Sequence, residues 1–152
     1  MKKYLMVCLG NICRSPMAEG ILTDKLKAKG IEAEVDSCGT SDYHIDEAPD
    51  PRAREKATEK GLNIDHLKGR QFVTADFDRF DEIFVMDKSN YENVLALAET
   101  DEERQKVKMI LSELDDEDVE EVPDPYFGME DGFEIVYNLL DRACDKIVDR
   151  AK

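Results

Sequence analysis

The sequence predicts an α/β fold: a single-domain, doubly wound parallel sheet of about four strands with helices on both faces. Three observations carry this. Short apolar runs alternate with longer stretches of helical character, glycines stand where the first two helices should stop, and no linker, repeat or low-complexity segment divides the 152 residues. A chain of that length buries roughly 68 to 70% of its unfolded surface, enough for one core without staples, so residues 1–152 are read as one domain.

Tyr4-Leu5-Met6-Val7 is a short apolar run and predicts a buried strand near 4–8. Ser15-Pro16-Met17-Ala18-Glu19 reads as a helix start, with a hydroxyl cap, then a proline and a carboxylate in the first turn. The helix should run near 16–29 and end at Gly30. A strand near 32–37, a helix near 51–60 closed by Gly61 and a short helix near 75–79 follow. Ile83-Phe84-Val85-Met86 predicts the strand near 82–86, followed by a helix near 89–98, a strand near 106–111 and a final helix near 131–149. The long irregular segments, 42–50 and 115–132, are expected to flank the pocket formed at the first strand-to-helix turn.

That turn is the most informative stretch of the chain. Leu9-Gly10-Asn11-Ile12-Cys13-Arg14-Ser15 follows Cys8, so a thiol at a strand end stands six residues before an arginine at a helix start. Amides of so tight a turn converge inward, and with the positive end of the helix dipole they bind an anion such as phosphate. Gly10 and Asn11 are residue types that tolerate the left-handed angles such a loop needs. A thiol in that position beside a guanidinium is expected to be a thiolate at neutral pH. Arg14 offers a planar fork for phosphoryl oxygens, and Ser15 a hydroxyl for the sulfur. The arrangement predicts attack by Cys8 on phosphorus and a thiophosphate intermediate that water hydrolyses. The competing reading makes Cys8 a small buried hydrophobe at a strand end.

Val7-Cys8-Leu9-Gly10-Asn11-Ile12-Cys13-Arg14-Ser15-Pro16 resembles the motif of the low-molecular-weight protein tyrosine phosphatases. The likeness extends through Val35-Asp36-Ser37, Gly39-Thr40, Asp50-Pro51-Arg52, Phe80-Asp81, Met86-Asp87-Lys88-Ser89-Asn90 and Pro123-Asp124-Pro125-Tyr126. The resemblance implies a doubly wound α/β domain, no metal and no cofactor, and hydrolysis of phosphotyrosine or small aryl phosphates. It also implies that Asp124, in a stiff loop between two prolines, is the general acid for the leaving phenolate and then the base for water. By itself Asp-Pro is an ordinary turn initiator. The acidic run from Glu113 to Glu121 just upstream favours the protonated carboxyl that an acid catalyst requires.

The supporting residues follow on the same resemblance. Asn11 should bond the hydroxyls of Ser15 and Ser37 and hold the loop in shape. A histidine before an Arg-Gln pair joins that network in the family; here His66 precedes Arg70-Gln71 by four residues, one more than the usual spacing, and is either that partner or a solvent-exposed loop residue. Asp87, after the third strand, is either a residue of the ligand crevice or an ordinary helix cap. Tyr43, Tyr126 and Phe127 are expected to wall a pocket deep enough for phosphotyrosine and too deep for phosphoserine; Phe127 replaces a second tyrosine of some relatives. Ile12 points to the tyrosine-directed branch, since phosphoarginine-directed relatives are expected to carry threonine there. Cys13, five residues after Cys8, is a candidate redox partner for it or a packing residue under the helix.

Composition excludes several other classes. A net charge of −15, from 36 acidic against 21 basic residues, argues against nucleic-acid and anionic-membrane binding. Four cysteines without metal spacing, no secretory segment and no lipidation motif suggest a cytoplasmic, monomeric protein without a metal. The acidic clusters at 100–103 and 113–121 read as solvated helix ends or loops, and a negative rim should favour substrates with neutral or basic flanks. Two alternatives stand beside the phosphatase: an arsenate reductase, which needs resolving thiols that the stretch between Cys38 and Cys144 lacks, and a non-catalytic phosphotyrosine-binding module, which has no use for both Cys8 and Asp124.

Overall fold

Lys2–Cys8 (β1), Ala33–Gly39 (β2), Glu82–Val85 (β3) and Val107–Met109 (β4) form one parallel sheet in the order β2-β1-β3-β4. This is a computed structural model, and it describes residues 1–114, 119–125 and 132–151. The helices are Arg14–Ala28 (α1), Pro51–Glu59 (α2), Asp76–Arg79 (α3), Lys88–Leu95 (α4), Asp101–Lys106 (α5) and Gly132–Ala151 (α6). None is long and apolar enough to cross a membrane among the described residues.

The pleat of β1 explains the two-sided core. Tyr4, Met6 and Cys8 face one way and pack with residues of α1, α2 and α6, while Leu5 and Val7 face the other way with Phe77, Phe80 and Val94. Both sets are buried, so β1 has no polar face, as a central strand of a parallel sheet requires. β3 repeats the alternation, with Phe84 on the first face and Ile83 and Val85 on the second.

Strand order reverses at β1: the chain goes outward to β2, then returns to the other side for β3 and β4. The carboxyl ends of β1 and β3 therefore border the crevice where doubly wound sheets bind ligands.

Local details depart from the sequence reading in three places. α1 starts at Arg14, and Ser15 is not its cap: the N-cap position is Cys13, without a side-chain bond, because the Ser15 hydroxyl is turned into the loop. The helix expected near 89–98 ends at Leu95, and α5 follows as a separate helix with a Thr100/Glu103 capping box. The strand expected near 106–111 is cut to β4 because Ile110–Glu113 winds into a 3-10 turn. Gly30 and Gly61 do stand just past α1 and α2 with positive φ, 67° and 84°.

Candidate active site

Hydrogen bonds from outside turn the carbonyls of the loop after β1 outward. Thr40 N donates to Cys8 O at 2.9 Å, Ser41 N to Leu9 O at 3.0 Å, and Asp50 N to Ile12 O at 2.8 Å. In a trans peptide the N–H opposes the C=O, so the amides of Leu9, Gly10 and Cys13 point to the inner side. Asn11 takes the left-handed conformation, with φ of 58°. Gly10 does not; a Cβ there would lie 3.0 Å from His44 Cδ2, so a side chain would press on that imidazole.

The sulfur of Cys8 sits at the floor, 3.0 Å from Ser15 Oγ, and accepts from Asn11 N at 3.3 Å. Asn11 Nδ2 donates to Ser15 Oγ at 2.8 Å and to Ser37 Oγ at 3.0 Å, while its Oδ1 accepts from Arg70 N at 3.0 Å. Ser37 Oγ in turn donates to Glu19 Oε1 at 2.7 Å. A continuous polar chain thus runs from the thiol to a carboxylate in the second turn of α1. Burial drives the Glu19 carboxyl up to about 7, with the Ser37 bond pulling the other way.

His66 is outside this network. It is exposed and lines a different cavity with Glu19 and Asn63, and the place expected for it is taken by the backbone of Arg70. The Arg70 guanidinium is held by Asp36 and Asp76 at 3.0 to 3.2 Å, which fixes that backbone. The extra residue between His66 and Arg70 carries the imidazole away.

Arg14 is buried at 2% exposure and clamped. Its Nη1 donates to Asp87 Oδ2 at 2.7 Å and to Val122 O at 3.0 Å, and Nη2 lies 3.6 Å from Asp124 Oδ2. Burial opposes its charge, but the negative charges of Cys8, Asp87 and Asp124 outweigh that and raise its pKa. Of the two roles that the sequence left open for Asp87, the cap is what the structure shows, with Oδ1 accepting from Asn90 N at 2.8 Å; Asp87 does not line the cavity over Cys8, but its Oδ2 holds Arg14.

A cavity of about 270 Å³ opens over Cys8, lined also by Ile12, Cys13, Arg14, Tyr43, His44 and Asp124. Tyr43 stands at its rim, 71% exposed. Tyr126 and Phe127 lie outside the described residues. Cys13 is a buried free thiol; burial, then the charges of Asp50 and Cys8, push its pKa up. Cys38 and Cys144 are buried free thiols too. No group of three or more metal-ligating side chains occurs among the described residues. Described members of the acidic run turn to cations elsewhere, Glu113 to Arg150 and Glu120 to Lys88, while Glu121 accepts from Lys88 N. Sequence reasoning missed Glu19 and His44; the spacing of four from Ser15 was the signal for Glu19, because it puts both on one helix face.

Fold and geometry together define a doubly wound α/β protein with a loop of inward amides built around a cysteine and closed by a buried arginine. Comparison with known proteins gives the class its family. Residues 3–152 match the model of the low molecular weight phosphotyrosine protein phosphatases. The phosphatase of that description from Schizosaccharomyces pombe is 43% identical over 135 residues, 86% of this chain and 85% of its own. A protein tyrosine phosphatase from Entamoeba histolytica, solved with Hepes in the active site, superposes with a TM-score of 0.93 at 36% identity, covering 99% of this chain and 96% of that one. A Drosophila arginine phosphatase gives 0.93 at 31% identity, covering 100% and 98%. The chain belongs to the low molecular weight phosphotyrosine protein phosphatase family.

Proposed function

We propose that this chain hydrolyses phosphotyrosine and aryl phosphate monoesters through a Cys8 thiophosphate. The observation that carries the reading is the position of Cys8 Sγ, bonded by Ser15 and Asn11 beneath inward amides and beside the clamped Arg14. The phosphate dianion binds the amides and the free edge of the Arg14 fork, whose plane the Asp87 and Val122 bonds fix. Cys8 Sγ then attacks phosphorus in line, the bond from phosphorus to the aryl oxygen breaks, and Asp124 gives its proton to that oxygen. Water next attacks phosphorus, Asp124 takes its proton, the sulfur–phosphorus bond breaks, and inorganic phosphate leaves with the thiolate restored.

Ser15, Asn11, Ser37 and Glu19 hold the loop, and Asp87 holds Arg14; these are positioning residues. The described residues read as one domain, working as a cytoplasmic monomer without cofactor or nucleic-acid partner. An arsenate-reductase reading finds no thiol between the buried Cys38 and Cys144. Ile12 in the cavity wall supports a phosphotyrosine rather than a phosphoarginine substrate.

The test is turnover of para-nitrophenyl phosphate and of peptides carrying phosphotyrosine, phosphoserine or phosphoarginine, with chelator, for wild type and Cys8→Ser. Turnover of the aryl esters alone, lost in Cys8→Ser, is expected. Preference for phosphoarginine, or turnover that survives the substitution, contradicts the reading.

A further inference from the structure

A second cavity, of about 370 Å³, adjoins the one over Cys8, and the two share Ile12 and His44 as a common wall. Ala48, Pro49 and Pro51 give this cavity a stiff lining, and its charged groups are Glu47, Asp50 and Arg54.

Those charges are not equivalent. Glu47 Oε2 lies 3.1 Å from His44 Nδ1. The Asp50 carboxylate accepts from Arg52 Nε and Nη2 at 3.0 and 3.1 Å, and from Arg52 N at 2.8 Å as the cap of α2. Arg54 is half-buried and held at one point, where Nε donates to Pro49 O at 3.1 Å. That bond fixes the stem of the guanidinium; the Arg54 charge is felt by Asp50, but Arg54 makes no carboxylate contact within 4 Å among the described residues. The cavity therefore offers an oriented cation beside anions that already have closer partners. A carboxylate matches the terminal nitrogens of such a fork, whereas a lysine or arginine from a substrate would meet like charge.

We propose that this cavity is the subsite for an acidic side chain adjacent to the phosphotyrosine, with Arg54 as the specificity-determining residue. The proposal rests on the phosphotyrosine reading above. Because the protein carries a net charge of −15, acidic peptides are repelled at long range whether or not Arg54 is present. The test must hold peptide charge constant and move only its position.

The experiment compares kcat/KM for phosphotyrosine peptides of identical composition, with one glutamate either next to the phosphotyrosine, on each side in turn, or several residues away. Wild type, Arg54→Gln and Arg54→Lys are measured, and the ratio of near to remote placement is taken within each enzyme, so loss of folded protein cancels. For at least one side we expect a ratio of about three to ten in wild type, through KM and weaker in salt. It should fall toward one in Arg54→Gln and be intermediate in Arg54→Lys, which keeps charge and loses the fork. A ratio near one in wild type for both sides, or a preference that survives Arg54→Gln, overturns the subsite while leaving the phosphatase intact. Failure to turn over even the remote-glutamate peptide removes the phosphotyrosine reading and the subsite together.

Discussion

One carboxylate of this protein, Asp87, holds Arg14 through Oδ2 at 2.7 Å and caps α4 through Oδ1, so the helix after β3 and the arginine of the anion loop are set by the same side chain. Arg14 is almost fully buried, and Asp87 is what fixes the plane of its fork along with Val122 O. Asp87→Asn keeps an oxygen for the cap and removes the charge. We expect kcat/KM on phosphotyrosine peptide to fall at least tenfold, with a smaller loss of stability than in Asp87→Ala. The alanine variant also removes the oxygens that accept from Arg14 and Asn90 N, leaving Arg14 only its more distant Asp124 carboxylate and the helix uncapped, and should lose roughly 2 to 4 kcal/mol in denaturant melts. Equal stability of the two variants contradicts this division of labour.

Asp124 is predicted to matter in proportion to how badly the leaving group needs a proton. Asp124→Asn should lower kcat/KM, which reports transfer of the phosphoryl group to Cys8, by about 10²- to 10⁴-fold for esters of phenols of high pKa, and by much less for para-nitrophenyl phosphate. A plot of log kcat/KM against leaving-group pKa for the variant should be steeper than for wild type; parallel lines contradict the acid role.

The half-buried Glu19 makes stability depend on pH. Its carboxyl is raised from an ordinary 4.5 to about 7, so between those values the folded protein holds a proton that the unfolded chain has lost. Stability should therefore fall as pH rises through this window. Glu19→Gln, which still accepts from Ser37, removes the term: relative to wild type it should gain roughly 2 to 3 kcal/mol on going from pH 4.5 to pH 8. Urea melts at the two pH values check it, and a pH-independent difference contradicts the assignment.

Cys8 and Cys13 line one cavity and both are free thiols. Peroxide should convert the Cys8 thiolate to a sulfenic acid, and the Cys13 thiol should condense with it, releasing water and forming a disulfide. Wild-type activity lost to peroxide is then expected to return with dithiothreitol, while Cys13→Ser proceeds to the sulfinic acid and stays inactive. Full recovery of Cys13→Ser means that Cys13 only packs.

What could be read in the sequence was what is local in it. Cys8 through Ser15 form the loop contiguously, so strand end, turn and helix start were legible in the residues themselves. The polar chain behind the loop was only half legible, because Ser37 comes beside Asn11 through the β1–β2 register that pairs Met6 with Ser37, and Glu19 reaches Ser37 only once α1 packs on that strand. Of the two readings open for His66, the structure takes the solvent-exposed one, which the spacing alone could not decide. Gly10 is expected for backbone freedom but does not take a positive φ; what it lies close against is His44, which arrives from 34 residues away. α5 carries its capping box openly in Thr100 and Glu103, and of the two readings of 100–103, solvated helix end or loop, it is the helix end.

The most direct test of the account is to look for phosphate on Cys8 during turnover. Asp124→Asn should accept a phosphoryl group from para-nitrophenyl phosphate, whose leaving group needs no acid, and release it slowly for want of a base. Rapid acid quench followed by proteolysis and mass spectrometry should then find the phosphoryl group on the peptide containing Cys8, as a phosphorus–sulfur adduct absent from the same variant carrying Cys8→Ser. A Cys8 peptide that stays unmodified while wild-type enzyme turns over the substrate would contradict the central claim.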